Sequence, residues 1–305
     1  MQSKLFGRTC FLASSENPQL PLPASGADTD VKVEGASGAP SGPGSALDQA
    51  TLSQGAVIAP PPPRDPAWNG WDVLLIAALA LMAIVVLVVF FGVGAHLIWP
   101  EVSLNAMAPL IAVTAQFLAY VIVAFFTIML VEGKYHVRFW QAVRWNWPRA
   151  GWRMLALGVL TLLSVNLLAH FLPMPKSTPF DQFFSSPRDA YLIAVFAVTF
   201  GPFMEELFFR GMLYPVLARQ LGMFWGVVLT ALPFALMHMF QYGYAWGVVL
   251  LIFIMGVVCT LVRAMTGSVA ASFLVHVGYN ATEMVALLVA TDGFRHMEKA
   301  ALALN

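Results

Sequence analysis

The chain has 305 residues, of which 59% are hydrophobic and 10% charged, with a mean hydropathy of +0.75; this excludes a soluble globular domain and makes it a membrane protein. Its 16 basic and 16 acidic residues cancel, so no charge imbalance points to nucleic acid or to an acidic partner surface, and no nucleic-acid partner is expected. The two cysteines, Cys10 in a polar segment and Cys259 in an apolar run, are too differently placed to predict a disulfide, and neither suggests a metal site.

In chain order, residues 1–66 are rich in Gly, Pro, Ser and Ala and end in Pro60 to Pro63 followed by Arg64. This composition reads as a disordered tail with a stiff polyproline end, acting as a solvated linker. Residues 1–13 contain no long apolar stretch, so a cleaved secretory signal is not expected. Residues 67–305 form the transmembrane domain. Apolar stretches of about 20 residues suffice to cross a hydrocarbon core as helices. Such stretches lie at about 73–97, 104–131, 153–172, 190–219, 223–240, 247–263 and 268–290, which predicts an all-α polytopic bundle of about seven spans. The segment at 190–219 is too long for one straight span and should tilt, break or protrude.

Lys134, Arg138, Arg144, Arg149 and Arg153 follow the second span, with Arg219 and Arg263 on the same side if spans alternate. The turn at 241–246 carries no charge. Because basic flanks are retained inside, the N-terminus and the tail are predicted to be cytoplasmic, in a bacterial cytoplasmic membrane. Trp140, Trp145, Trp147 and Trp152 then form an interfacial belt on an amphipathic inner loop.

Ionisable groups inside spans are costly and default to paired or functional roles. Glu206 and Arg210, four residues apart, share a helix face and read as a structural pair; Glu205 points about 100° away and must face something else. His238 on the fifth span and His276 with Asn280 on the seventh complete the set, with Glu283 further along the same stripe as a supporting group. Counted from a turn near Gly222, Glu205 lies 17 residues before and His238 16 after, so both reach nearly the same depth. His276, nine residues past Gly267, counts out shallower, and agrees only if the neighbouring helices tilt or protrude. Pro202 and Pro233 remove backbone donors beside these groups, which a bilayer tolerates only where protein or water satisfies the freed carbonyls, so a polar, wet cavity is expected. His96 and His170, by contrast, read as interhelical hydrogen-bonding groups.

The ordered set Glu205-Glu206-x-x-x-Arg210, Phe234-x-x-x-His238 and His276-x-x-x-Asn280 resembles the motifs of the CPBP family, the CAAX proteases and bacteriocin-processing enzymes also called the Abi family. The likeness covers about residues 190–285. It implies a helical bundle around a polar cavity and an intramembrane endopeptidase acting on a membrane-embedded peptide or lipidated protein. In that chemistry Glu205 and His238 activate water while His276 and Asn280 stabilise the oxyanion, with Glu206, Arg210 and Phe234 in support. The family's metalloprotease designation would have zinc held by Glu205, His238 and His276. Against zinc, no His-Glu-x-x-His helix is present and a carboxamide is a poor ligand, so metal-free hydrolysis without a required cofactor is expected. The alternative is a non-catalytic scaffold or self-immunity protein binding a peptide in the same cavity. Substrate identity and oligomeric state are not readable from the residues.

Overall fold

Side-chain caps set several of the helix starts in the structure, a computed structural model that describes residues 65–184 and 186–297. Asn69 accepts from Trp71 N and Asp72 N, and Asp72 returns a carboxylate to Asn69 N, so α1 (Gly70–Ile98) opens on a capping box. Ser103 caps α2 (Leu104–Tyr135) and Ser268 caps α9 (Val269–Ala290). Between them run α3 (Phe139–Ala142), α4 (Gly151–Ala169), a 3-10 turn (Pro179–Phe184), α5 (Pro187–Val198), α6 (Phe200–Glu206), a π-helical segment (Leu207–Leu213), α7 (Tyr214–Met237) and α8 (Trp246–Thr266). The described residues contain no strand.

Among the described residues, six continuous helical runs are long and apolar enough to cross a membrane, and the chain is an integral, multi-pass membrane protein. The fourth run, Pro187–Met237, spans 51 residues and supplies two legs. Gly222 has φ 80° and ψ 170°, a conformation open chiefly to glycine, and a methyl group placed on Gly226 would meet the Ala218 Cα at 2.9 Å. Residues eight apart in an unbroken helix would be separated by about 12 Å, so the chain doubles back at Gly222 as expected. Each continuous run otherwise agrees with the predicted spans to within a few residues.

The over-long segment before Gly222 breaks and widens. At Thr199 the backbone leaves helical geometry (φ −115°, ψ −79°), and Pro202, lacking an N–H, cannot bond back across the break. Eight residues after Thr199 the ladder expands into the π segment, which puts fewer ångströms of rise behind each residue.

Small residues decide how closely the legs approach. A Cβ on Gly158 of α4 would lie 2.1 Å from the Val275 carbonyl oxygen, and one on Gly278 of α9 would lie 2.4 Å from that of Leu155. Backbone therefore meets backbone across α4 and α9, the most extensive helix pairing in the fold. In the same way Gly256 of α8 admits Phe234 and Ala231 of α7.

The end carrying the basic residues is latched by polar contacts. Lys134 pairs with Asp72 at 2.7 Å, Tyr135 bonds the same carboxylate, Arg144 pairs with Asp65, and Arg219 donates to the Pro66 carbonyl at 2.7 Å. Trp68 is fully buried and donates its indole N–H to the Met212 carbonyl. Residues 65 and 66 of the expected tail are thus held against the bundle, and the rest of that reading lies outside the described residues. Trp140, Trp147 and Trp152 are exposed as an interfacial belt requires, whereas Trp145 turns inward and packs on Phe203 and Phe273.

Candidate active site

The site is built from four elements: α6 with the π segment, the C-terminal end of α7, the middle of α8 and the first half of α9. At its centre the fully buried Glu206 carboxylate is saturated. Oε1 accepts from Arg210 Nη1 at 2.9 Å and from His276 Nδ1 at 2.9 Å, and Oε2 accepts from the Ser272 hydroxyl at 2.5 Å. Arg210, also fully buried, spends its remaining donors on Thr260 Oγ1 (3.2 Å) and the Gly256 carbonyl (2.8 Å), and its guanidinium lies 4.4 Å from the Phe234 ring centroid. A buried carboxylate and guanidinium are tolerated because each has its charge and its hydrogen-bonding capacity matched. The two side chains form a fully buried i,i+4 ion pair.

Glu205 is different. Among the described residues it has no guanidinium or ammonium partner; it is only partly buried, and its Oε2 lies 3.8 Å from His276 Nε2. The imidazole of His276 thus stands between two neighbouring carboxylates, its Nδ1 fixed by Glu206 and its Nε2 turned to Glu205. A ring held at one nitrogen has its orientation set for whatever the other nitrogen does.

His238 is the residue that closes α7, and its Nδ1 lies 2.8 Å from the Phe234 carbonyl. A carbonyl only accepts, so Nδ1 carries the hydrogen and Nε2 is the nitrogen left to a ligand. The ring packs edge-on against Phe234 (5.2 Å between centroids), which in turn packs against His276 (5.8 Å). Phe234, fully buried, is the shared wall between the two imidazoles. His238 makes no ion pair with Glu205 among the described residues, so it joins the group through that wall.

Asn280, one turn beyond His276, donates Nδ2 to the Ala197 carbonyl at 2.7 Å. That carbonyl belongs to the last turn of α5, where the break at Thr199 leaves acceptors without helical partners. One Asn280 N–H is therefore structural and the second is available. Glu283, still further along α9, is exposed.

Sequence reasoning missed Ser272 and Thr260, which complete the shells of Glu206 and Arg210. Ser272 stands one turn before His276 on the same stripe of α9, so its position was a usable signal. Thr260 bonds its own i−4 carbonyl as well as Arg210, and nothing in its apolar run distinguishes it. His170 departs from its expected interhelical role: its Nδ1 pairs with the Asn166 carbonyl of its own helix, while His96 is exposed.

The suggested zinc ligands can be tested against the donor geometry. Among the described residues, the His, Cys, Asp and Glu side chains whose ligand atoms lie within 4.8 Å of one another are Glu206, Cys259 and His276, not Glu205, His238 and His276. In that trio the carboxylate is already occupied by a guanidinium, a hydroxyl and the same imidazole. A cation bound there would compete with the Arg210 guanidinium for the same carboxylate, so this trio does not fit a zinc ion.

No curated protein and no solved structure gave a significant match to the chain. Residues 187–282 match the family model described as type II CAAX prenyl endopeptidase Rce1-like. The match begins at the first residue of α5 and ends on α9 just beyond Asn280, so it takes in each of the seven motif residues named above. Residues 187–282 are accordingly an Rce1-like type II CAAX prenyl endopeptidase domain, of the CPBP and CAAX-protease family that the motifs resemble.

Proposed function

We propose that the protein is an intramembrane endopeptidase that hydrolyses a peptide bond of a membrane-associated protein or lipidated peptide by a glutamate-type mechanism without a metal. The observation that carries this reading is the unequal treatment of two adjacent carboxylates. Glu206 is consumed by Arg210, Ser272 and His276, while Glu205 has an imidazole nitrogen 3.8 Å away and no cation bonded to it. Glu205 acts as general base on a water that also donates to His238 Nε2. Attack on the scissile carbonyl produces an oxyanion that takes hydrogen bonds from the second N–H of Asn280 and, with His276 protonated on both ring nitrogens, from its Nε2–H. The proton collected by Glu205 then passes to the leaving amine.

The basic loop supports a cytoplasmic N-terminus. In that orientation His238 and the uncharged turn after it lie toward the outer face, at the end of α7 remote from Gly222.

The test is cleavage, in detergent, of a panel of internally quenched peptides with and without a C-terminal farnesyl cysteine. Wild type is expected to cleave at least one member equally with and without chelator, while Glu205→Ala and His238→Ala do not. Equal product from all three proteins would overturn the assignment, and loss on chelation would replace it by a metal-dependent one. Retained biological activity of a Glu205 variant at unchanged abundance would favour a scaffold.

A further inference from the structure

The second span, α2, lies outside residues 187–282, yet it brings a polar pair to the site. Gln116 and Tyr120 are one turn apart, and Gln116 Nε2 donates to the Tyr120 hydroxyl oxygen at 2.8 Å. A phenol has one donor hydrogen besides the lone pair that this bond uses. Since the amide donates, the phenol's own hydrogen is not consumed by it. Within a bilayer an unspent donor calls for an acceptor.

The surroundings say where that acceptor lies. The Tyr120 ring packs against Phe196 (6.1 Å) and Phe200 (6.2 Å), and Phe117, on the same helix, packs against Phe200 at 4.6 Å. Phe196 and Phe200 flank the Thr199 break, the same break whose Ala197 carbonyl is held by Asn280. Glu205 follows Phe200 by five residues on the same helix, α6. If Gln116 and Tyr120 only satisfied each other, the phenol hydrogen would have no acceptor in that pair.

We infer that Tyr120, fixed by Gln116, is a substrate-binding residue whose hydroxyl donates a hydrogen bond to a main-chain carbonyl oxygen of the peptide lying in front of Glu205. This rests on the proteolytic reading of the same site. It makes α2 a wall of the substrate cleft, so recognition extends beyond the region that carries the motifs.

The test uses the full chain in detergent and a quenched peptide that wild type cleaves. Tyr120→Phe keeps the ring and its packing and removes only the hydroxyl. It is expected to raise KM about five- to twenty-fold, in line with one lost hydrogen bond, with kcat within about twofold of wild type. In a Glu205→Gln background, where turnover is absent, the same substitution should weaken direct binding of that peptide by the same factor. Gln116→Leu, which frees the phenol to turn, should give a smaller rise in KM with kcat unchanged. Unchanged KM and unchanged peptide binding in Tyr120→Phe would overturn the inference, as would a loss confined to kcat. Cleavage by Glu205→Gln itself would instead remove Glu205 as the general base, while the KM comparison in the otherwise wild-type chain would still report on Tyr120.

Discussion

Glu205 and Glu206 are neighbours in sequence with opposite fates, and the difference lies in what each helix face meets. Glu206 looks toward α8 and α9, where it pairs with Arg210 of the following π segment and accepts hydrogen bonds from Ser272 and His276 of α9. Removing one partner of such a buried pair typically costs about 3–5 kcal/mol, because the other charge is left bare. Arg210→Met should therefore lower thermal stability severely. The double variant Glu206→Gln with Arg210→Met should recover much of that loss and still fail to cleave, since His276 has lost the carboxylate that orients it. Melting temperatures and cleavage rates of the three proteins check both halves of the statement; additive destabilisation in the double variant would contradict it. The pairing of Glu206 with Arg210 was legible from spacing alone, because side chains four apart share a face. The double engagement of His276 was not, since it depends on which turn of α9 stands opposite α6, and that register is a tertiary property.

At the scale of elements, the placement of α9 governs the site because it carries Ser272, His276 and Asn280 together. Its position is fixed by the glycine contacts with α4. An Ala at 158 would put a carbon 2.1 Å from the Val275 carbonyl oxygen, and backbone on both sides cannot yield without moving the helices. Gly158→Ala should accordingly destabilise the fold by about 1–3 kcal/mol and lower cleavage, although residue 158 touches none of the motif side chains. Thermal unfolding together with kcat measures both effects, and wild-type values of each would show that α4 does not hold α9 in place. The span boundaries and the turn at Gly222 could be read from apolar length and from a glycine between two runs. Depth could not be read as well. Counting about 1.5 Å for every residue from Gly222 and Gly267 set His276 too shallow, whereas His276 in fact bonds Glu206 and faces Glu205. The π segment at Leu207–Leu213, which lies between Glu205 and Gly222, invalidates a uniform rise over the counted residues, and neither it nor the break at Thr199 follows from composition. The bond from Asn280 to the Ala197 carbonyl was hidden for the same reason, because only a broken helix exposes that oxygen.

For the whole molecule, the latched end bearing Lys134, Arg144 and Arg219 and the uncharged turn after His238 are at opposite ends of the bundle. The proposed orientation places the first inside and the second outside. In a Cys10→Ser background, with Cys259 buried, Tyr244→Cys should react with a membrane-impermeant maleimide in intact cells, and Trp147→Cys should react only after lysis. The reverse pattern would invert the topology and put access to His238 on the cytoplasmic side. The all-helical multi-pass architecture was the most legible property of all, since lipid leaves a chain of this composition few ways to satisfy its backbone. The contribution of α2 to the cleft was the least legible, because Gln116 and Tyr120 look like an isolated intrahelical pair until the Thr199 break brings Phe196 and Phe200 against them.

The central claim is that Glu205 is the reacting carboxylate and Glu206 its structural neighbour. The most direct measurement is the single-turnover cleavage rate of Glu205→Gln, a nearly isosteric change at a group that holds no structural bond to a cation. A fall of at least about 100-fold, with an unchanged melting temperature, is the predicted result. A rate within about twofold of wild type would contradict it.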